Sequence, residues 1–301
     1  MFKKLIIDSE KGNVSILMAL MMVAILGFSG LTIDIGVAYA ERTKLSNALD
    51  SAVLAAAQDL TEGSMTARAS AESYLIQNDV PLDEVTIEIG ADLKSIEIKG
   101  NRNVQHYFMK VLGVDSSNVG ATSKAIIAPI KSVKGGIRPF AVEDFEYTYG
   151  DLITLKQGAG DSYNGNFGVV ALGGTGNSVY EYNAFFGYAG ELKVGDEVPT
   201  EPGNMASVSN QLKAYINSIY ESFEDHSRKS DRMWTIPLVD TLEIGGRGYI
   251  KVTGFAQVFV ENVYNQSGKI NIDARFVKFV VNGAIDPDAE DHGVYGVKLV
   301  N

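Results

Sequence analysis

The chain has 301 residues, enough for one large domain or two modest ones. Hydrophobic residues at 46% exclude a disordered chain, and 26 Lys and Arg against 37 Asp and Glu leave a net charge of −11, which excludes a general nucleic-acid binder. Cysteine is absent, which removes disulfides, thiolate metal sites and cysteine nucleophiles, and the three histidines, His106, His226 and His292, stand far apart in sequence.

The first element is apolar all round. Between Lys11 and Asp34 lie 22 residues without a charge, and Val14–Ile33 is almost wholly hydrophobic. A helix rises about 1.5 Å per residue, so about 20 residues cross a hydrocarbon core of about 30 Å. A secretory signal peptide has a shorter apolar core, roughly 7–15 residues, before a small-residue cleavage site. Val37-Ala-Tyr-Ala40 offers such a site, so release near Ala40 stands as the alternative to a retained anchor. Lys3, Lys4 and Lys11 precede the span, and Arg42 and Lys44 follow it. The positive-inside rule then places residues 1–12 in the cytoplasm, 13–35 across the cytoplasmic membrane and the bulk of the chain outside. Gly27, Ser29 and Gly30 are small enough to permit close helix–helix approach. Asp34 at the end of the span either pairs with another protein or marks the wet interface. These four residues are the expected membrane or partner contacts.

Past Asp34 the pattern changes. Leu45, Ala48, Leu49, Ala52, Val53, Ala56 and Leu60 recur at helical spacing, with Lys44, Asn47, Asp50, Ser51 and Gln58 opposite. One long helix is therefore expected, embedded in its first half and packed in its second, with Leu45, Leu49 and Val53 as the stem contacts against a sheet. Glu62-Gly63 is its expected stop.

Glu10-Lys-Gly-Asn-Val14, the apolar span, Gly30-Leu-Thr-Ile-Asp-Ile-Gly-Val-Ala-Tyr39 and the pattern Arg42-x-x-Leu45-x-x-Ala48-x-Asp50-x-Ala52-x-Leu54-Ala-Ala-Ala57 resemble the amino-terminal segment of TadE/TadG-like proteins of the tight-adherence (Flp) pilus system. Later stretches, among them Asn166-Phe-Gly168, Gly173-Gly-Thr-Gly176, Val194-Gly-Asp-Glu-Val198, Thr200-Glu-Pro-Gly-Asn204 and Val252-Thr-Gly-Phe-Ala256, are similar to the carboxy-terminal region of shorter family members. The resemblance implies a membrane-anchored, pilin-like assembly component, not an enzyme. Two departures matter. Longer members carry a von Willebrand A domain with an Asp-x-Ser-x-Ser metal site, and no such string occurs here. Processed pilins of such systems carry Glu at the fifth position after a cut following Gly. A cut after Gly12 puts Leu17 there, which argues against that processing.

Residues 64–79 read as a second helix, with Ala67, Ala71, Tyr74 and Leu75 on one side. Val85–Ile89 and Ile96–Ile98 alternate as strands. Val104, Tyr107, Phe108, Val111 and Leu112 suggest a short helix closed by Gly113, and Ala121–Ile127 another strand. Residues 36–130 thus form a stem and a small α+β pilin-like unit, and 131–138, with Gly135-Gly136, a linker. Residues 139–301 read as a β-rich barrel- or sandwich-like domain. Its expected strands are Leu152–Leu155, Phe167–Leu172, Leu192–Val198, Trp234–Leu238, Tyr249–Glu261 and Lys269–Asn282. Val208, Leu212, Tyr215, Ile216, Ile219 and Phe223 mark an inserted helix. Turns are expected at Gly158-Ala-Gly160, Asn164-Gly165, Gly173-Gly174, Gly245-Gly246 and Ser267-Gly268. The fold class is α+β.

Catalytic signatures are missing. Gly-x-Ser-x-Gly does not occur, and no two histidines have metal-ligand spacing. Asp286-Pro-Asp-Ala-Glu-Asp291 clusters carboxylates, but an EF-hand needs Gly at its sixth position and Glu at its twelfth, where Asp291 and Val297 stand; a solvated acidic turn is the simpler reading. Gly173-Gly-Thr-Gly176 lacks the Lys of a phosphate loop and reads as a tight turn. No cofactor is expected. The expected partners are the membrane and other pilus or secretion subunits, reached through the transmembrane helix, and no nucleic acid. The alternative function is a secreted or surface adhesive or carbohydrate-binding domain that stacks ligands on Tyr147, Tyr149, Tyr163, Tyr180, Tyr182 and Tyr188.

Overall fold

The structure is a computed structural model and describes residues 10–156, 167–200, 206–242, 248–266 and 269–300. Residues 1–9 of the segment expected to be a cytoplasmic head, Tyr163 and the turns expected at Gly158-Ala-Gly160, Asn164-Gly165, Gly245-Gly246 and Ser267-Gly268 lie outside the described residues, as do residues 201–204 of the similarity stretch.

A single helix, α1 (Glu10–Gln58), spans 49 residues and carries both apolar patterns without interruption. At about 1.5 Å per residue it is roughly 70 Å long. A short 3₁₀ turn, Leu60–Glu62, ends it, and α2 (Ser64–Gln77) doubles back with Ala67, Ala71 and Leu75 buried. Three strands follow: β1 (Val85–Ile89), β2 (Ser95–Gln105) and β3 (Ser116–Pro129). They pair antiparallel, from Val85↔Gly100 to Ile89↔Ile96 and from Ser95↔Ile126 to Gln105↔Ser116. The helix expected near Val104–Leu112 is different. β2 runs on through Gln105 because Val104 continues the strand's period of two, and only Met109–Leu112 turn helically, as one 3₁₀ turn. Gly113 closes that turn at φ 84°, a left-handed conformation natural to glycine.

The next elements are β4 (Ser132–Lys134), β5 (Phe140–Glu143), β6 (Leu152–Lys156), β7 (Phe167–Val169), α3 (Asn177–Phe186), β8 (Glu191–Lys193), β9 (Glu197–Pro199), α4 (Ala206–Asn217), β10 (Met233–Val239), β11 (Tyr249–Gln266), β12 (Lys269–Val277), β13 (Phe279–Val280) and β14 (Val294–Val300). The strand expected over Leu192–Val198 is split by a turn at Gly195, and the turn expected at Gly173–Gly176 leads directly into α3. Two sheets dominate. The first has the order β1-β2-β3-β14-β13, and the second β6-β12-β11-β10-β5-β7 with β9 added to β11. The result is a mixed α+β fold of curled, half-barrel sheets behind a long apolar helix.

The last strand returns to the first sheet: β14 pairs with β3 from Tyr295↔Pro129 to Val300↔Lys124. Residues 131–138 are integrated as well. β4 pairs with β8, and Val133, Ile137 and Arg138 are buried. The first sheet's core is built from the α1 stripe, α2, Ile96, Ile98, Ala125 and Ile127. The second centres on Phe140 stacked on Trp234 at 5.2 Å, with Leu212 and Ile216 of α4 laid over it. Arg228 bridges the two regions, pairing with Asp59 at 3.0 Å beyond the end of α1 and lying over the Phe279 ring.

Candidate functional site

The site is the junction between the anchor helix and the head. In the first half of α1 the large apolar residues from Val14 to Phe28 are 58–71% exposed. In the second half Leu45, Leu49 and Val53 are fully buried, along with Ala52 and Ala56. α1 is long and apolar enough to cross a membrane, and among the residues whose side chains are described Gly30 is the first that is buried.

The β2–β3 hairpin lies along α1, and successive contacts fix its direction. Asp50 accepts a hydrogen bond from Ser123 at 2.6 Å. Lower down, β2 comes so close to the helix that a Cβ at Gly100 would stand 3.1 Å from Leu45 Cδ1. Next, Arg102 reaches Glu41 at 3.3 Å and Glu84 at 2.9 Å, and donates to the Asp79 carbonyl at 2.9 Å. The hairpin tip then meets Asp34. Its carboxylate accepts the backbone N–H groups of Tyr107 at 2.8 Å, Phe108 at 2.9 Å and Met109 at 2.6 Å. Successive N–H groups at the start of a helical turn have no intrahelical acceptor, and a carboxylate serves them as a cap does. Here the cap comes from another element, 73 residues earlier in the chain.

Gly30, one helical turn below Asp34, completes the grip. The Phe108 ring occupies the space where a side chain would be: a Cβ at Gly30 would fall 2.7 Å from Phe108 Cγ. His106 braces the tip from inside. Its Nδ1 lies 3.2 Å from the Val114 carbonyl and its Nε2 3.0 Å from the Ser117 hydroxyl. The carbonyl can only accept, so Nδ1 carries the proton and, in the neutral ring, Nε2 accepts from Ser117. Of the four expected contact residues, the structure brings Gly30 and Asp34 onto the hairpin tip. Gly27 has open space beside it, and Ser29 is exposed. Sequence reasoning missed the donors that meet Asp34, because every residue except proline carries a backbone N–H and these groups leave no signature.

A second cluster lies in a cleft of the β-rich region. Ligand atoms of Asp144, Glu290 and His292 stand within 4.8 Å of one another. His292 Nδ1 is 3.7 Å from Asp144, but its Nε2 is buried without a partner and packs towards Gly254. Tyr147 stacks on Phe276 at 3.7 Å and donates to the His292 carbonyl. Burial, then the Asp291 charge, pushes Tyr149 up to about 12, so it stays a neutral phenol at physiological pH.

Residues 12–59 match a family model described as "Putative Flp pilus-assembly TadE/G-like". No curated protein and no solved structure matches the chain. The similarity to the TadE/G-like family thus covers the helix that carries the exposed apolar run, the Asp34 contact and the buried stripe.

Proposed function

We propose that the chain is a membrane-anchored, pilin-like component that assists the assembly or anchoring of a tight-adherence (Flp) type pilus or related secretion apparatus, and is not an enzyme. Residues 1–12 face the cytoplasm, 13–35 cross the cytoplasmic membrane once, and the rest is extracytoplasmic. The observation that carries this reading is the continuity of α1: one helix passes from an exposed, uniformly apolar half into a half sealed in the head's own core. A rigid stem of this kind holds a folded head at a fixed height above the bilayer, leaving the embedded half free for lateral packing with other subunits.

Two observations weigh against release near Ala40 as an adhesive domain. A cut there would take Asp34 and Gly30 away from the hairpin tip they hold. The tyrosines that would stack a ligand are mostly occupied: Tyr147 on Phe276, Tyr180 edge-on against Phe140, and Tyr188 beside Gly173. Tyr182 alone among the described set is exposed, tilted against Phe186.

The test is complementation in cells lacking their own copy. Leu20→Arg and Val23→Arg place a charge at the centre of the apolar run, where it disfavours insertion by about 2.5–3.5 kcal/mol. Neither residue touches the head. The variants are expected to lose membrane residence and pili together while the head stays folded. Normal pili from a head recovered outside the membrane would overturn the proposal.

A further inference from the structure

We infer that the tip of the β2–β3 hairpin, residues 107–114, is a second membrane contact: a foot that rests in the outer interface of the same bilayer that α1 crosses. The inference rests on the membrane-spanning reading of α1 and adds a surface that no family similarity covers, since the matched residues end at 59.

Three observations carry it. The first is chemistry. The segment Tyr107-Phe-Met-Lys-Val-Leu-Gly-Val114 has one charge, and its apolar side chains point outward: Tyr107 is 70% exposed, Val111 89% and Leu112 78%. Residues of this kind on a hairpin tip are costly in water and usually mark an interaction surface. The second is height. From Val14 to Asp34 is 20 residues, or about 30 Å of helix, which matches the hydrocarbon thickness. Asp34 therefore stands at the boundary, and its three backbone hydrogen bonds hold the tip at that level. The rest of the hairpin climbs away, since Arg102 meets Glu41 and Gly100 meets Leu45 farther up the helix. The tip is thus the part of the hairpin nearest the apolar run. The third is continuity. Phe108 lies on Gly30, so the apolar surface of the tip joins the exposed apolar surface of α1.

Lipid is the occupant that fits these facts. A tyrosine and short aliphatic side chains suit the headgroup–acyl boundary, and Lys110 has a flexible stem that lets its ammonium stay among headgroups while its methylenes follow the apolar patch. Tyr39, exposed one turn above Asp34, adds an aromatic at the same interface. Two attachment points on one bilayer would fix the tilt and rotation of the stem, which a single helix leaves free.

The absence of cysteine makes the test direct. Full-length protein carrying one cysteine at a time, Val23→Cys, Val111→Cys or Tyr220→Cys, is labelled with an environment-sensitive fluorophore and reconstituted alone into phosphatidylcholine vesicles. Tyr220 is 99% exposed and lies outside the hairpin, so it reports water. The label at 111 is expected to shift to the blue, to be quenched by doxyl-lipid, and to be severalfold less accessible to aqueous iodide than the label at 220. Lipid quenching at 23 with a label at 111 as wet as that at 220 would overturn the foot and leave the anchor standing. No lipid quenching at 23 would overturn the anchor reading, and the foot with it. Protection at 111 that vanishes when the protein is diluted in lipid would assign the surface to a second copy of the chain and likewise overturn the inference. Val111→Glu with Leu112→Glu, labelled at Tyr107→Cys, supplies the converse: two charges are expected to draw water around the tip and to raise the access of neutral aqueous acrylamide at 107, relative to the label at 107 without them, while the label at 23 stays in lipid.

Discussion

The two halves of α1 are both rich in hydrophobic residues, yet they meet opposite environments. The large apolar residues from Val14 to Phe28 lie on every side of the helix and are exposed. Leu45–Leu60 is apolar on one stripe and polar opposite, and that stripe is sealed against Ile96, Ile98, Ala125 and Ile127. The amount of hydrophobicity does not separate them; its distribution around the helix does. A uniform coat needs an apolar solvent, whereas a stripe needs one apolar surface. The change occurs between Gly30 and Glu41, where the contacts to the hairpin begin.

The contrast is broken most strongly by putting charge into each half. Leu49→Asp buries an unpaired carboxylate in the seam and is expected to lower head stability by roughly 3–5 kcal/mol, or to prevent folding, as read by chemical denaturation. Val23→Asp should leave the head's denaturation midpoint unchanged and act only on membrane insertion. Equal head destabilisation by both would show that the halves are not distinct.

A smaller effect sharpens the junction. Asp34→Ala removes the acceptor of three N–H groups. Amide exchange at Tyr107, Phe108 and Met109 is expected to speed by roughly tenfold or more, with global stability nearly constant. Asp34→Asn retains an oxygen acceptor and should fall between. If exchange at 107–109 does not change in either variant, the hairpin tip is not held by Asp34.

Arg102 contributes less. It is partly buried between Glu41 and Glu84, and Arg102→Met should cost about 1 kcal/mol in denaturant titration. Its partner adds a pH signature. Glu41 is held below its ordinary value of 4.5, first by the Lys44 hydrogen bond and then by Arg102, against a desolvation that pulls the other way. A depressed carboxylate stabilises the fold at pH above its ordinary value, and that contribution fades as the pH drops through the folded-state value. Stability should therefore decline below about pH 4.5 with a shallower slope in Glu41→Gln. An identical slope would remove Glu41 from the account. The exposed Lys99–Glu88 pair is expected to matter least, with no measurable change in melting for Glu88→Gln.

Much of this arrangement was legible in the sequence, for a physical reason. The stem stripe is a periodic local signal and the apolar run a continuous one, and the strands expected at 85–89 and 249–261 carry local signals too, the second running on to Gln266. What the sequence hid was non-local or featureless. Val104–Leu112 has helix-like spacing, but pairing of Val104 with Ser117 carried β2 past the point where a helix was expected. β14 joins a strand about 170 residues earlier, a pairing no local pattern announces. Asp34 drew attention as a charge at the membrane's edge, and its counterparts turned out to be three backbone groups.

The central claim is that α1 stays whole, with one half in the bilayer and the other in the head. Its most direct test is intact-mass analysis of membranes from cells expressing the full chain, before and after washing with alkaline carbonate. The account predicts one species that retains residues 13–40 and remains in the pellet. A species beginning near Glu41, recovered in the wash with a folded head, would contradict it.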